Sequence, residues 1–208
     1  MRLRVLSWTL RPGNARSQDL AAALAGWEWD VALLRHLPSQ WALPVATALD
    51  SEFRCTPRSA GRDSLLRRLL SASPQRVDGS GSDAILARRD RVVAEWPVDR
   101  RRPTRTGIHA ARLACGLWIG NLRDQDLGTD DVRALLTEAS GDAVALAGPS
   151  RADSGEHDAM TGLDEVAQGG GDTLWATRDL VPVSGTEVLA GGAVRGHPPL
   201  AITLERRF

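Results

Sequence analysis

The sequence predicts one α/β domain in which two β-sheets pack together with helices outside. Three observations predict it. Strand, helix and strand signals follow one another at the start of the chain, between Leu3 and Leu34. Ala143–Ala147 is an unbroken run of small or branched apolar residues, too short for a helix and suited to a strand buried on both faces. Short strand patterns then recur to the end, roughly ten of them against three or four helices, with no internal repeat, linker or heptad. At 208 residues, 42% of them apolar, the chain can bury a substantial single core and is too apolar for wholesale disorder.

Leu3–Leu10 alternates and closes in Trp8-Thr9-Leu10, a strand turned by Arg11-Pro12-Gly13-Asn14. Ser17 is placed to cap a helix over Gln18–Ala25, whose Leu20, Ala21 and Leu24 share one face, and Gly26 ends it. Asp30–Leu34 is a second buried strand, followed by Arg35-His36 and Pro38. Gln40–Ala48 suits a short helix confined or kinked by Pro44. Leu65, Leu66, Leu69 and Leu70 suggest a helix within Arg54–Ser73, and Val77–Ser82 a turn. Asp83–Ala87 is a strand, with Arg91–Trp96 as its expected hairpin partner. Ile108–Cys115 and Leu117–Asn121 are two strands joined at Gly116. Thr129-Asp130-Asp131 caps a helix to about Ala139, its acids in the first turn where the helix dipole favours them. Gly148-Pro149 ends the run Ala143–Ala147, because proline cannot donate to a sheet ladder. Arg151–Gly171 reads as a Gly-rich loop with a short helix near Leu163–Ala167. Asp172–Ala176, Val183–Leu189 and Leu200–Leu204 close the chain as strands.

All 26 basic residues are Arg, and 26 acids balance them to a formal net charge of zero. Such a chain has no overall field to draw in nucleic acid. The charge is uneven: residues 1–122 hold 19 Arg against 11 acids, residues 123–208 hold 7 against 15. If the halves formed separate layers, one face would be basic. Within Arg88–Arg105, seven Arg stand against three acids. A solvated face is the plain reading there, and a weak phosphate-backbone contact with nucleic acid the functional one. Only Trp96 interleaves with these arginines, which gives single-strand stacking poor support.

Met1–Trp8 is too interrupted for a signal peptide, and no apolar run has the length of a membrane span, so a soluble, cytoplasmic protein is expected. Cys55 and Cys115 fit no metal or redox spacing; two buried thiols are expected, with a disulfide between them left open. Glu156-His157-Asp158 sits in a polar loop and reads as solvated rather than as a ligand cluster. There is no Gly-x-Ser-x-Gly elbow, and Gly169-Gly170-Gly171 lacks the Lys-Ser/Thr of a phosphate loop.

The strand ends carry a pattern of their own. In order they read Trp8-Thr9, Asp30-Val-Ala-Leu-Leu-Arg35-His36, Asp83-Ala-Ile-Leu-Ala-Arg88, Ile119-Gly-Asn121-Leu122 and Gly148-Pro149-Ser150-Arg151. Gly171-Asp172-Thr-Leu174 and Arg195-Gly196-His197-Pro198-Pro199 complete the series. It resembles the strand ends of the endonuclease/exonuclease/phosphatase superfamily. Members of that superfamily read Trp-Asn, Asp-Val-(apolar)-Gln-Glu, Asn-Ala-Ile-Leu-Ser-Arg, Asn-Thr-His-Leu, Gly-Asp-Phe-Asn, Ile-Asp-His-Val and Ser-Asp-His at the corresponding places. The resemblance spans almost the whole chain. It implies one domain over residues 1–208 with the deoxyribonuclease-I-like fold: a four-layer αββα sandwich of two mixed, mostly antiparallel sheets flanked by helices.

In that superfamily a second-strand Glu and other carboxylates hold Mg²⁺ against a phosphate. A His oriented by an Asp takes a proton from water, and a second His with Asn residues stabilises charge on phosphorus. Carried over residue by residue, only His197 as general base and Asp172 as its orienter match. His36 stands for the metal-holding Glu, Pro149 for the Asp of Gly-Asp-Phe-Asn and Asn121 for the second His. Thr9 stands for the first-strand Asn and Gly196 for the closing Asp. The resemblance therefore implies a degenerate member, a pseudoenzyme without a metal cofactor that acts as a binding or scaffolding module. The alternative is a Mg²⁺-dependent phosphodiesterase or phosphatase with a rearranged site and His197 as base.

Thr9, Arg35, His36, Asn121, Ser150 and Arg151 are the pocket candidates. Arg35 or Arg151 could offer an anionic, phosphate-bearing ligand the charge otherwise supplied by metal. His36 and His197 alone are too few to hold zinc, and His109 is expected to pack rather than react. The mapping predicts that Thr9, His36, Asn121, Arg151 and His197 converge at one end of the sandwich. It also predicts a hydrogen bond between His197 and Asp172, which would favour the imidazolium.

Overall fold

A computed structural model describes residues 1–11, 13–57, 81–96, 107–122, 129–150 and 162–207. Strand β1 (Arg2–Thr9) leads through helix α1 (Ser17–Ala25) to β2 (Val31–Leu37), which lies parallel to β1 with Thr9 opposite Arg35. The helix begins one residue earlier than Ser17 capping requires. Arg16 is the N-cap, and its amide donates to Asp19 Oδ2 at 2.7 Å, the reach-back half of a capping box. A 3₁₀ turn (Ser39–Trp41) and helix α2 (Ala42–Ala48) follow, with Pro44 in the first turn where its missing N–H costs nothing.

Next come β3 (Glu52–Pro57) and β4 (Ser82–Ala87), which pair antiparallel with each other, while β4 also pairs antiparallel with β2. Strand β3 went unread in the sequence. The helix suggested by Leu65–Leu70 lies outside the described residues, as does the turn at Val77–Ser82 up to residue 80. The expected hairpin of Asp83–Ala87 with Arg91–Trp96 does not form. Both edges of β4 are taken, by β2 and β3, so β5 (Val92–Trp96) crosses to the other sheet and pairs with β6 (Ile108–Leu113).

Strand β6 turns through Gly116 into β7 (Leu117–Leu122). Helix α3 (Thr129–Ala139) then returns the chain to β8 (Ala143–Pro149), parallel to β7. Strand β8 runs to Pro149, two residues past the apolar run, where it faces Asp172 of β10 (Asp172–Ala176). Leu163–Ala167 is not a helix. Asp164–Gly169 forms edge strand β9 on β10, since a leucine and an alanine four apart satisfy either period and the open edge of β10 decides. The strand expected over Val183–Leu189 is instead two short pieces, β11 (Leu180–Pro182) and β12 (Glu187–Val188), both on β13 (Leu200–Arg206).

Two sheets result, with orders β11-β13-β1-β2-β4-β3 (β12 also on β13) and β5-β6-β7-β8-β10-β9. Each contains one parallel pair, β1–β2 or β7–β8, and is otherwise antiparallel. The first sheet takes strands from both ends of the chain, so the basic and acidic halves are not separate layers. Inward residues such as Val5, Leu33, Ile85, Ile119, Ala145, Leu174 and Ile202 fill the space between the sheets. On the outer face of the first sheet, Leu6, Trp8 and Leu34 pack against Leu20 and Leu24 of α1 and Val45 of α2. On the outer face of the second, Trp118, Val144 and Leu146 pack against Val132 and Leu135 of α3. The architecture is a four-layer αββα sandwich.

The thiols do not match the expected buried pair: Cys55 is half-buried, Cys115 is exposed in the β6–β7 turn, and no disulfide joins them. No helix among the described residues is long and apolar enough to cross a membrane.

Candidate functional site

The alternation that buries leucines and valines between the sheets places polar residues at one end of the same inward rows. Ser7 and Thr9 continue the row of Leu3 and Val5, and Arg35 continues that of Val31 and Leu33. Asp83 precedes Ile85 and Ala87, His109 precedes Ala111, Asn121 follows Ile119, and Asp172 precedes Leu174. The strand directions bring all of these to one end: the C-terminal ends of β1, β2 and β7 and the N-terminal ends of β4, β6 and β10. Ser7, Arg35, Asp83, His109, Asn121 and Asp172 are each almost wholly buried.

Asp172 is the centre of this layer. Its Oδ2 accepts from Ser7 Oγ at 2.6 Å, and its Oδ1 accepts from Thr9 Oγ1 at 3.0 Å. Arg35 Nη2 donates to the same Oδ1 and to Thr9 Oγ1, so cation, hydroxyl and carboxylate close a three-membered ring. A carboxylate with no exposed surface is tolerable only when paired and hydrogen-bonded, and here both conditions are met. The ion pair spans the two sheets, from β2 to β10.

The expected His197–Asp172 hydrogen bond is therefore not made. His197 does lie at this end: its backbone N–H donates to the Thr9 carbonyl at 3.1 Å. Its half-buried ring stands over Gly171, where a Cβ would come within 2.2 Å of His197 Nδ1. Among the described residues, however, the ring makes no hydrogen bond, because the acidic oxygens next door are filled by Ser7, Thr9 and Arg35. Arg35 is likewise unavailable as the charge of an anion pocket, its guanidinium being buried against Asp172.

The remaining predicted residues are placed as follows. His36 is exposed, in left-handed backbone (φ 57°), where the β2–β4 register shifts between Leu34 and Leu37. Asn121 is buried; its Nδ2 donates to the Ala84 carbonyl of the opposite sheet at 3.1 Å, and among the described residues its Oδ1 has no hydrogen-bond partner. Ser150 is turned toward the sheet edge, where its Oγ accepts from Gln168 Nε2 at 2.6 Å. Arg151 and Glu156-His157-Asp158 lie outside the described residues.

Sequence reasoning missed Ser7 and Asp83 as members of the layer and Glu95 as its neighbour. The available signal was a polar residue in phase with an inward apolar row, as Ser7 is with Leu3 and Val5. His109 packs, as expected: it is buried, in register with Asn121, and its Nε2 lies 3.2 Å from Glu95 Oε1. Gly196 is held close against β1. A Cβ there would lie 2.4 Å from the Thr9 carbonyl oxygen, so this close approach to β1 admits glycine only.

The ligand set for Mg²⁺ does not fit. Among the described residues, no three His, Cys, Asp or Glu side chains are grouped to hold an ion, and the Asp172 carboxylate is committed to a guanidinium. What the arrangement can do, through its own residues, is lock the ends of β1, β2 and β10 together.

No family model and no characterised protein matches the sequence. Solved structures do match over the full length. Humanized D. rerio TDP2 aligns with TM-score 0.62 at 14% identity, covering 98% of this chain and 99% of that one. The endonuclease/exonuclease/phosphatase from Bacteroides vulgatus aligns with TM-score 0.63 at 10% identity over 100% of both chains. The endonuclease domain of TRAS1, a telomere-specific non-LTR retrotransposon, aligns with TM-score 0.61 at 14% identity, again over 100% of both. At these identities the likeness is one of architecture, and the fold this chain adopts is the deoxyribonuclease-I-like fold of the endonuclease/exonuclease/phosphatase proteins.

Proposed function

We propose that this chain is a non-catalytic binding or scaffolding module built on that fold, without metal-dependent hydrolase activity. The observation that carries this reading is the engagement of Asp172 by Arg35, Ser7 and Thr9. It removes the acid that would orient His197 and fills the carboxylate oxygens that a hard divalent cation would use. An inert site can still serve recognition, because loops on a rigid sandwich end remain free to bind.

An anionic, phosphate-bearing ligand is the class that the rim favours. Arg11 and Arg195 are exposed there, joined by a backbone hydrogen bond of 2.8 Å from Arg11 N–H to the Arg195 carbonyl. Among the described residues, neither makes an ion pair. His197, whose backbone N–H donates to the Thr9 carbonyl, lies on the same segment, so two exposed guanidiniums stand near it.

Purified protein assayed with Mg²⁺, Mn²⁺ and Zn²⁺ on nucleic-acid and phosphomonoester panels tests the reading. No turnover is expected. Turnover that disappears in His197→Ala would overturn it in favour of a divalent-metal-dependent phosphodiesterase with His197 as general base.

A further inference from the structure

We infer that Glu52 and Arg54 form a side-chain latch that takes the place of a neighbouring strand along the edge of β5, an autoinhibitory contact that keeps β5 from pairing with the β5 of a second copy of this chain. Strands β3 and β5 are edge strands of different sheets and lie beside each other on one side of the sandwich. A strand edge presents the N–H and C=O of alternate residues to whatever strand comes next. At Val92 both groups are bound, but by side chains. Its N–H donates to Glu52 Oε2 at 3.0 Å, and its C=O accepts from Arg54 Nη2 at 3.3 Å. Glu52 and Arg54 are two positions apart, so they project from the same side of β3. The carboxylate stands where the carbonyl of an added strand would lie, and the guanidinium where its N–H would lie. Arg54 is braced by donating through Nη1 to the Phe53 carbonyl at 2.8 Å, and Arg91 Nε approaches Glu52 Oε1 at 3.8 Å.

The occupant this latch excludes is a second copy. A residue that turns both its N–H and its C=O outward is the one through which antiparallel strands exchange a pair of hydrogen bonds. Two copies of one edge meet in that antiparallel sense about a two-fold axis, so β5 is matched by itself. Val92 buries its side chain between the sheets, whereas Val93 is 54% exposed and would give the paired strands an apolar contact. The register shift between Val92 and Ala94 already makes this edge irregular, and the latch covers Val92 beside it. The inference does not depend on whether the polar end of the sandwich is catalytic.

Wild type, Glu52→Ala/Arg54→Ala and the same double variant carrying Val93→Lys are compared by sedimentation velocity over a wide range of concentration. Wild type should stay monomeric, the double variant should shift to dimer as concentration rises, and Val93→Lys should return it to monomer, because a lysine on an edge strand opposes pairing. Hydrogen exchange reads the latch itself. The Val92 amide should exchange roughly tenfold or more faster in Glu52→Ala, and close to the wild-type rate in Glu52→Gln, whose amide oxygen still accepts. Association of wild type that Val93→Lys abolishes, a double variant that associates no more than wild type, or a dimer indifferent to Val93→Lys overturns the inference. If the double variant does not fold, Glu52→Ala alone decides, since that side chain is 42% exposed. It must both lose protection at Val92 and self-associate, and failure of either counts against the latch.

Discussion

Arg35 and Asp172, 137 positions apart in the chain, form a buried ion pair that ties the first sheet to the second at the end where the fold presents its strand termini. Each partner alone would be an uncompensated charge in the interior. Asp172→Asn and Arg35→Met should therefore each cost about 3–5 kcal/mol. The double variant should cost clearly less than the sum, because no lone charge remains. Urea denaturation of the four proteins measures the coupling, and strict additivity would show that the pair is not a unit.

Gly171 holds φ at +84°, and a Cβ there would collide with the His197 ring. Gly171→Ala should cost about 1–3 kcal/mol from the backbone conformation alone, with a further loss from the displaced ring. Combining it with His197→Ala should restore only the second part, read as a partial recovery of Tm.

Gly196→Asp introduces, beside His197, the acid expected there from the resemblance. The contact with the Thr9 carbonyl forces the end of β1 to move. The expected outcome is a lower Tm and no Mg²⁺-dependent turnover; hydrolysis gained by this single change would contradict the site geometry.

The Cys115 thiol is pushed up to about 11, first by partial burial and then by its hydrogen bond to Asp90. At pH 8 only about one thiol in a thousand is then thiolate, so Cys115 should alkylate slowly with iodoacetamide despite its exposure. The rate should climb roughly tenfold per pH unit until about pH 11. Removing the neighbouring negative charge with Asp90→Asn lowers the pKa and should speed alkylation at pH 8.

The stretch Arg88–Arg105 is the proposed weak contact for nucleic acid. Its described arginines already have neighbours: Arg88 stands 4.0 Å over the Trp29 ring, Arg89 is 3.2 Å from Asp30, and Arg91 is 3.8 Å from Glu52. Binding to a short oligonucleotide should accordingly be weak at low salt and fall as salt rises. Affinity that is absent at low salt, or unaffected by salt, rejects the contact.

The layer architecture was legible in the sequence because burial on two faces leaves local marks. Ala143–Ala147 reads as an interior strand without any partner in view. Leu20, Ala21 and Leu24 show the inner face of α1, and the ordered strand ends point to the sandwich. Pairing was less legible, since an edge is open or closed only in the assembled sheet. That is why β5 crosses to β6, and why Leu163–Ala167 joins a strand rather than a helix.

The candidate site divides in the same way. Sequence alone led, through the resemblance, to the expectation that His197 and Asp172 form a pair. Only the tertiary structure decided that these two do not pair. Asp172 lies between sheets, where Ser7 and Thr9 from β1 and Arg35 from β2 reach it first, and a buried carboxylate takes the nearest cation and hydroxyls available. No spacing in a linear chain states which of several distant donors will arrive at one oxygen; that is set by strand register, sheet order and the exclusion of water between the two sheets.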